Sequence, residues 1–187
     1  MRYVLSTFVV VPLRWVQRWG WRQHTEVEKV ATAEYYRELG RHMGIRGIPG
    51  TWREFEDLLD GYEAEHFGYD PGGRAVADAT LELSTTFPPN HRAPKAVSRA
   101  FVLSLMDEWL LDALGRSVPP APVRLAADAV LRARAAVVRR MPVRTEPFSI
   151  ERSPNIRSHP DGFDVRELGT FPTCPVPHGS GRAATGT

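Results

Sequence analysis

Cysteine is almost missing from the 187 residues: Cys174 stands alone. That excludes an intramolecular disulfide and any CxxC zinc or redox centre, and its Pro/Gly-rich surroundings argue against a catalytic thiol. Lysine is nearly as scarce. Lys29 and Lys95 stand against 22 arginines, a skew that reads as base-composition bias rather than a phosphate-binding design. No large excess of either charge exists, the formal net being +2, so a protein that coats nucleic acid is excluded and no nucleic-acid partner is expected. No apolar run reaches the roughly 20 residues of a membrane span. The most apolar stretch, Tyr3 to Val16, is interrupted by Ser6, Thr7, Pro12 and Arg14, and no small-residue cleavage site precedes Trp15. A cytoplasmic protein without a transmembrane segment is the simplest expectation, with peripheral membrane association left open.

The common chemical signatures are absent too: there is no GxGxxG, no Walker loop, no HExxH and no GxSxG. Six histidines occur (His24, His42, His66, His91, His159 and His178), and no two have the HxxxH spacing that places two metal ligands on one helix face. Glu63 and His66 form one Glu-x-x-His pair. Carboxylate-bridged di-iron bundles need a second, which is missing, so no metal site is expected and His66 reads as a buried or half-buried structural histidine. The cluster Arg14-Trp15, Arg18-Trp19, Trp21-Arg22 reads as indoles packed at a helix end with guanidinium groups reaching outward. Charge is uneven along the chain. Residues 31–90 carry five basic and eleven acidic groups, residues 91–144 ten basic and four acidic.

What is present is helical periodicity. Tyr3, Val4, Phe8, Val11 and Trp15 predict a helix over 2–19, kinked near Pro12 and apolar on more sides than a surface helix. Thr25-x-x-Glu28 and Thr51-x-x-Glu54 are capping-box signatures for helices over 26–43 and 52–67. Further helices are expected over 74–86, 95–114 (with a possible break at Asp107) and 123–140. The core is expected to contain Phe8, Trp15, Tyr35, Leu39, Phe55, Leu59, Leu81, Phe101, Leu105, Leu131 and Val138. The fold class is therefore all-α, a multi-helix orthogonal bundle of about six helices. Residues 142–172, with Phe148, Ile150, Phe163, Val165 and Leu168, are expected to form an extended arm, and residues 173–187 a disordered tail.

An ordered set of phrases runs along residues 3–169. It begins Arg14-Trp15…Trp19-Gly20-Trp21-Arg22, Thr25-x-x-Glu28 and Gly40-x-x-Met43-Gly44-Ile45-x-x-Ile48-Pro49. It continues Thr51-x-x-x-Phe55-Glu56, Tyr62-Glu63-x-x-x-Phe67-x-Tyr69, Arg74-x-Val76-Ala77-x-Ala79-Thr80, then Pro142, Arg157, His159-Pro160-Asp161-Gly162-Phe163 and Glu167-Leu168-Gly169. This set resembles the ER-bound oxygenase mpaB and rubber oxygenase (latex clearing protein) catalytic-domain family, in its smaller bacterial-type branch. The resemblance makes residues 1–172 the C-terminal part of such a domain.

The resemblance implies an oxidoreductase with haem b, activating dioxygen against an apolar, unsaturated, isoprenoid-like substrate. It also implies that the haem-ligating histidine lies on a helix before the segment matching Tyr3–Phe8. No catalytic residue can then be carried over, and the chain is expected to be truncated and not to bind haem alone. A fragment and a short protein that has lost its haem half both remain open. Leu5, Thr7 and Phe8 are the candidate cofactor-binding pocket wall. With the other half absent, Leu5, Phe8 and Val9 are expected to be exposed or to pair with another copy, giving a homo-oligomer through the first helix. The alternative function is a non-catalytic helical protein that binds a partner or an apolar ligand through that helix.

Overall fold

A computed structural model describes residues 1–143 and 145–146. The chain divides into two compact units, Met1–Met141 and Pro142–Thr187. The expected arm and tail, and the boundary at residue 172, lie outside the described residues. The first unit is all-helical. It contains α1 (Arg2–Trp19), α2 (Glu26–His42), α3 (Trp52–His66), α4 (Pro71–Ser84), α5 (Lys95–Ser104), α6 (Glu108–Ala113) and α7 (Ala121–Val138), with a 3-10 turn at Asn90–Arg92. Among the described residues there is no strand.

Local chemistry accounts for the helix starts. The Thr25 hydroxyl accepts from the Glu28 N–H at 3.3 Å, and the Glu28 carboxylate accepts from the Thr25 N–H at 2.9 Å, a complete capping box. At α3 the box is displaced by one residue. Thr51 Oγ1 accepts from the Glu54 N–H at 3.2 Å, while Glu54 Oε2 reaches back to the Gly50 N–H at 2.7 Å. Asp70 caps α4 through the Gly73 N–H at 2.7 Å, so that helix starts at Pro71, three residues before the sequence expectation. The expected 95–114 helix is two helices, because the chain leaves α5 after Ser104 and restarts at Glu108 with Asp107 as N-cap. Pro12 lies inside α1, which continues through it.

α1 packs on α2 and α3, which also touch each other, and these three share one core of Leu5, Val9, Val10, Ala33, Phe55 and Leu59. α5 packs on α4 and α7, with Leu81, Ala127 and Leu131 buried there. α1 also touches α7, where the buried Trp19 indole donates to Asp128 Oδ1 at 3.0 Å. Of the expected core, Phe55, Leu59, Leu81 and Leu131 are buried, and Phe101, Leu105 and Val138 are half-buried. Phe8, Trp15, Tyr35 and Leu39 are exposed, against expectation. The reason is register. α1 is apolar nearly all round, and it turns its smaller residues Leu5, Ser6, Val9 and Val10 toward α2 and α3, leaving the large ones outside. Gly40 permits this approach, since a Cβ there would stand 2.7 Å from Leu5 Cδ2.

Candidate functional site: an apolar cleft with a tyrosine–glutamate pair

The bend between α5 and α6 opens a cleft of about 730 Å³ against α1 and α3. α1 contributes Val11, Trp15 and Trp19, α3 contributes Leu59, the bend contributes Leu105 and Met106, and α6 contributes Trp109 and Leu110. The wall is thus mainly apolar and aromatic, as in pockets that hold apolar ligands. Polar side chains enter from Arg14, Gln17, Arg18, Glu56, Glu63 and Asp107. Arg14, Glu63, Asp107 and Trp109 also line an adjoining cleft of about 690 Å³, whose walls add Asp60, Phe67 and Asp112.

Most of these charges are already committed. Arg14 donates to Glu56 Oε1 at 2.9 Å and to Asp60 Oδ2 at 2.7 Å, pinning α1 to α3. The Asp60 hydrogen bond, then that of Glu56, holds the guanidinium pKa above its ordinary value against the cost of burial. Arg18 lies over the Trp19 ring at 4.4 Å and 3.8 Å from Asp107. Arg22 pairs with Glu28 at 2.6 Å. The three arginines of the cluster are therefore spent on ion pairs within the chain, while Trp15 and Trp21 stay exposed.

Glu63 is the cleft carboxyl whose pKa is raised. The Tyr3 hydroxyl donates to Glu63 Oε1 at 3.0 Å, and Tyr3 stacks on Tyr62 with ring centroids 4.4 Å apart. Burial raises the Glu63 pKa and the nearby Asp60 and Asp107 charges add to it, although the Tyr3 hydrogen bond and Arg14 pull it down. Burial first, then the hydrogen bond to Glu63, pushes the Tyr3 phenol up to about 12. A desolvated carboxyl beside a phenol, at the edge of an apolar cleft, can hold or move a proton there.

The residues expected to form a cofactor-pocket wall lie outside this cleft. Leu5 is 4% exposed and Val9 0%, both inside the core of α1–α3, which corrects the expectation that they would lie bare. Thr7 is half-buried with its hydroxyl on the Val4 carbonyl at 2.7 Å. Phe8 is exposed and stacks on Tyr36 at 5.9 Å. None of Leu5, Thr7 and Phe8 lines the cleft. His66 is also a correction. It is exposed, at 3.1 Å from the Tyr62 carbonyl of its own helix and stacked on the Tyr62 ring at 4.1 Å. The inward place in that turn belongs to Glu63.

Among the described residues no three His, Cys, Asp or Glu side chains converge on a metal position. His42, His66 and His91 are exposed. His24 is half-buried with Nδ1 lacking a hydrogen bond and 3.7 Å from Glu28 Oε2, but its cavity of about 410 Å³ is lined by Arg14, Gln17, Gln23, Lys29 and Glu56 beside Val10, Leu13 and Trp52. A haem iron needs an imidazole enclosed by apolar walls. The described histidines do not fit that requirement, and His159 and His178 lie outside the described residues.

The arrangement so far defines an all-helical protein with an apolar cleft and one desolvated acid at its edge. A family model described as ER-bound oxygenase mpaB/B'/Rubber oxygenase, catalytic domain, matches residues 1–140, and the chain belongs to that family. It is 26% identical over 176 residues to the ER-bound oxygenase mpaB' of Penicillium brevicompactum, which covers 87% of this chain and 40% of that protein. To the ER-bound oxygenase mpaB of the same organism it is 27% identical over 93 residues, 43% of this chain and 24% of that protein. The chain thus spans well under half the length of the curated relatives it matches. No solved structure matches it. Among the described residues no helix is long and apolar enough to cross a membrane.

Proposed function

We propose that the chain contributes the substrate-binding part of an oxygenase, an oxidoreductase taking an apolar, unsaturated, isoprenoid-like molecule into the cleft between α1, α3 and α6. The observation that supports this is the apolar wall of Val11, Trp15, Leu59, Leu105, Met106, Trp109 and Leu110 with the half-buried carboxyl of Glu63 at its edge. Such a wall binds hydrocarbon by removing apolar surface from water, at about 25 cal/mol per Å². It also keeps water from the reacting part of the substrate, while Glu63, hydrogen-bonded to Tyr3 behind it, holds a proton at the edge. The haem b of the resemblance has no fitting ligand among the described residues, so no step is assigned to it.

A second reading is a non-catalytic helical protein that uses α1 to bind a partner, another copy or an apolar ligand. It is favoured by the exposed row Val4, Phe8, Val11 and Trp15, spaced i, i+4, i+7 and i+11 on one side of the helix. The two readings separate by mutation, because Phe8 lies on that row but outside the cleft, and Trp109 lies in the cleft but off the row. Titration with farnesol, followed by tryptophan fluorescence, is expected to weaken in Trp109→Ala and Leu110→Asp and to be unchanged in Phe8→Asp. Unchanged affinity in both cleft variants would refute the cleft reading. A change of sedimentation coefficient in Phe8→Asp alone would support the second.

A further inference from the structure

The helix α7 is unusual in carrying apolar residues on both sides. Its inner side buries Ala127 and Leu131. Its outer side presents Ala126, Ala129, Ala133 and Ala136 at one-turn spacing, flanked by Val130 and Val137, which are 58% and 61% exposed, and by Leu125 at 70%. Arginines rim this outer side: Arg132 and Arg139 on one border, Arg134 on the other, Arg140 at the end. Arg132 is paired with Asp128 at 2.5 Å. For Arg134, Arg139 and Arg140 no carboxylate partner occurs among the described residues. Arg139 and Arg140 share a groove of about 700 Å³ with Arg18, Arg132 and the half-exposed Trp21.

We propose that this outer face of α7, with Trp21 beside it, lies on an anionic lipid surface. Three features of the face agree on that occupant. The arginines stand at the rim, where long guanidinium side chains reach anionic headgroups while the aliphatic centre meets the acyl boundary. The indole sits beside them at one end, the depth at which tryptophan collects in membranes. The local charge runs in the matching sense, since residues 121–140 carry five arginines against the single acidic Asp128. A nucleic acid would use the arginines but gain nothing from exposed Val130, Val137 and Leu125.

The test is vesicle sedimentation of the full 187-residue chain, with phosphatidylcholine alone and with phosphatidylcholine/phosphatidylserine mixtures. Binding is expected only to the mixed vesicles and is expected to fall with added salt. Each arginine near an anionic surface is worth roughly five-fold in partition, so Arg134→Gln/Arg139→Gln/Arg140→Gln is expected to lower it about 100-fold. Val130→Asp/Val137→Asp is expected to abolish it, with the far-ultraviolet helix signal of each variant unchanged. Equal binding by the triple variant, or sedimentation with neither vesicle, overturns the proposal. Loss in the arginine variant with none in the valine variant also overturns it, because the aliphatic centre would then play no part in binding.

Discussion

Tyr3 and Glu63 are 60 residues apart in sequence and 3.0 Å apart in space, the phenol donating to the carboxylate across the α1–α3 interface. Burial holds the Glu63 pKa above its ordinary value of 4.5, so the folded chain binds that proton more tightly than the unfolded chain. The associated stability is fully present below 4.5 and is lost as pH rises through the folded value. Glu63→Gln keeps an acceptor for Tyr3 and removes the titration. It is therefore expected to melt higher than the wild type at neutral pH, with the gap closing in acid. A thermal melt series across pH checks this; a lower melting temperature for the variant at neutral pH would show that the charge on Glu63 is stabilising.

Tyr3 gives a second pH signature of the same pair. Its phenol is pushed from 10.0 up to about 12, so its contribution to stability is complete below pH 10 and declines as pH approaches 12. Spectrophotometric titration of the tyrosines is expected to include a late component from Tyr3, and Tyr3→Phe is expected to remove it. Persistence of the late component in Tyr3→Phe would assign it to another phenol.

Thr25→Ala and Thr51→Ala each free a helix-start amide and are expected to cost about 1 kcal/mol. The displaced box at α3 adds a distinction. Glu54→Ala frees the Gly50 amide, one residue before the cap, whereas Glu28→Ala frees the cap residue's own amide and also releases Arg22. Denaturant melts of the four variants check the set. No loss in either threonine variant would place the helix starts elsewhere.

Helix limits were legible in the sequence because the chemistry that sets them is local. Thr25 and Thr51 mark starts within four residues of the amides they cap, and Asp107 stands at the N-cap of α6 without a side-chain bond. The starts of α4 and α7 fall earlier than expected, at Pro71 behind the Asp70 cap and at Ala121. The inner face of α1 was not legible. With apolar residues nearly all round, its burial depends on where α2 and α3 approach, and the close approach at Gly40 selects Leu5 over Phe8. The Glu63–His66 pair shows the same limit. The spacing puts both on neighbouring turns of one helix, yet a shift of a fraction of a turn decides which meets Tyr3. The cleft was hidden for a related reason. Trp109 and Leu110 enter it only because the chain bends at residues 105–107, and the one sequence signal for that was the possible break at Asp107.

Leu59 tests the shared core of α1–α3. It is 2% exposed beside Val9, Val10 and Phe55, and Leu59→Ala is expected to destabilise by about 2–5 kcal/mol. A loss under about 1 kcal/mol in urea unfolding would contradict the register of α3.

Gly115 tests the end of α6. Its φ is +60°, and an added Cβ would stand 2.6 Å from Tyr69 Cε2. The Arg74 guanidinium also donates to the Gly115 carbonyl at 2.6 Å, tying α4 to this turn. Gly115→Ala is expected to cost about 1–2 kcal/mol from the left-handed backbone alone, with the tyrosine contact adding to it. Because α6 carries Trp109 and Leu110, the same variant is expected to weaken farnesol binding even at temperatures where it remains folded.

The haem prediction follows from the histidines. A haem iron in this family's resemblance needs a neutral imidazole oriented by a partner and enclosed by apolar walls. His42, His66 and His91 face solvent, and His24 opens on a cavity with Arg14, Lys29 and Glu56 in its wall. The purified 187-residue chain is therefore expected to give no sharp Soret band at one hemin per chain. Weak, non-saturating absorbance is the expected result, because apolar clefts take up hemin without ligating it. A stoichiometric band abolished by His24→Ala would make His24 a ligand and show that its cavity rearranges around the macrocycle. A band surviving that change but lost in His159→Ala or His178→Ala would place the ligand in the Pro142–Thr187 unit. Either result would contradict the expectation that this chain alone does not hold the cofactor.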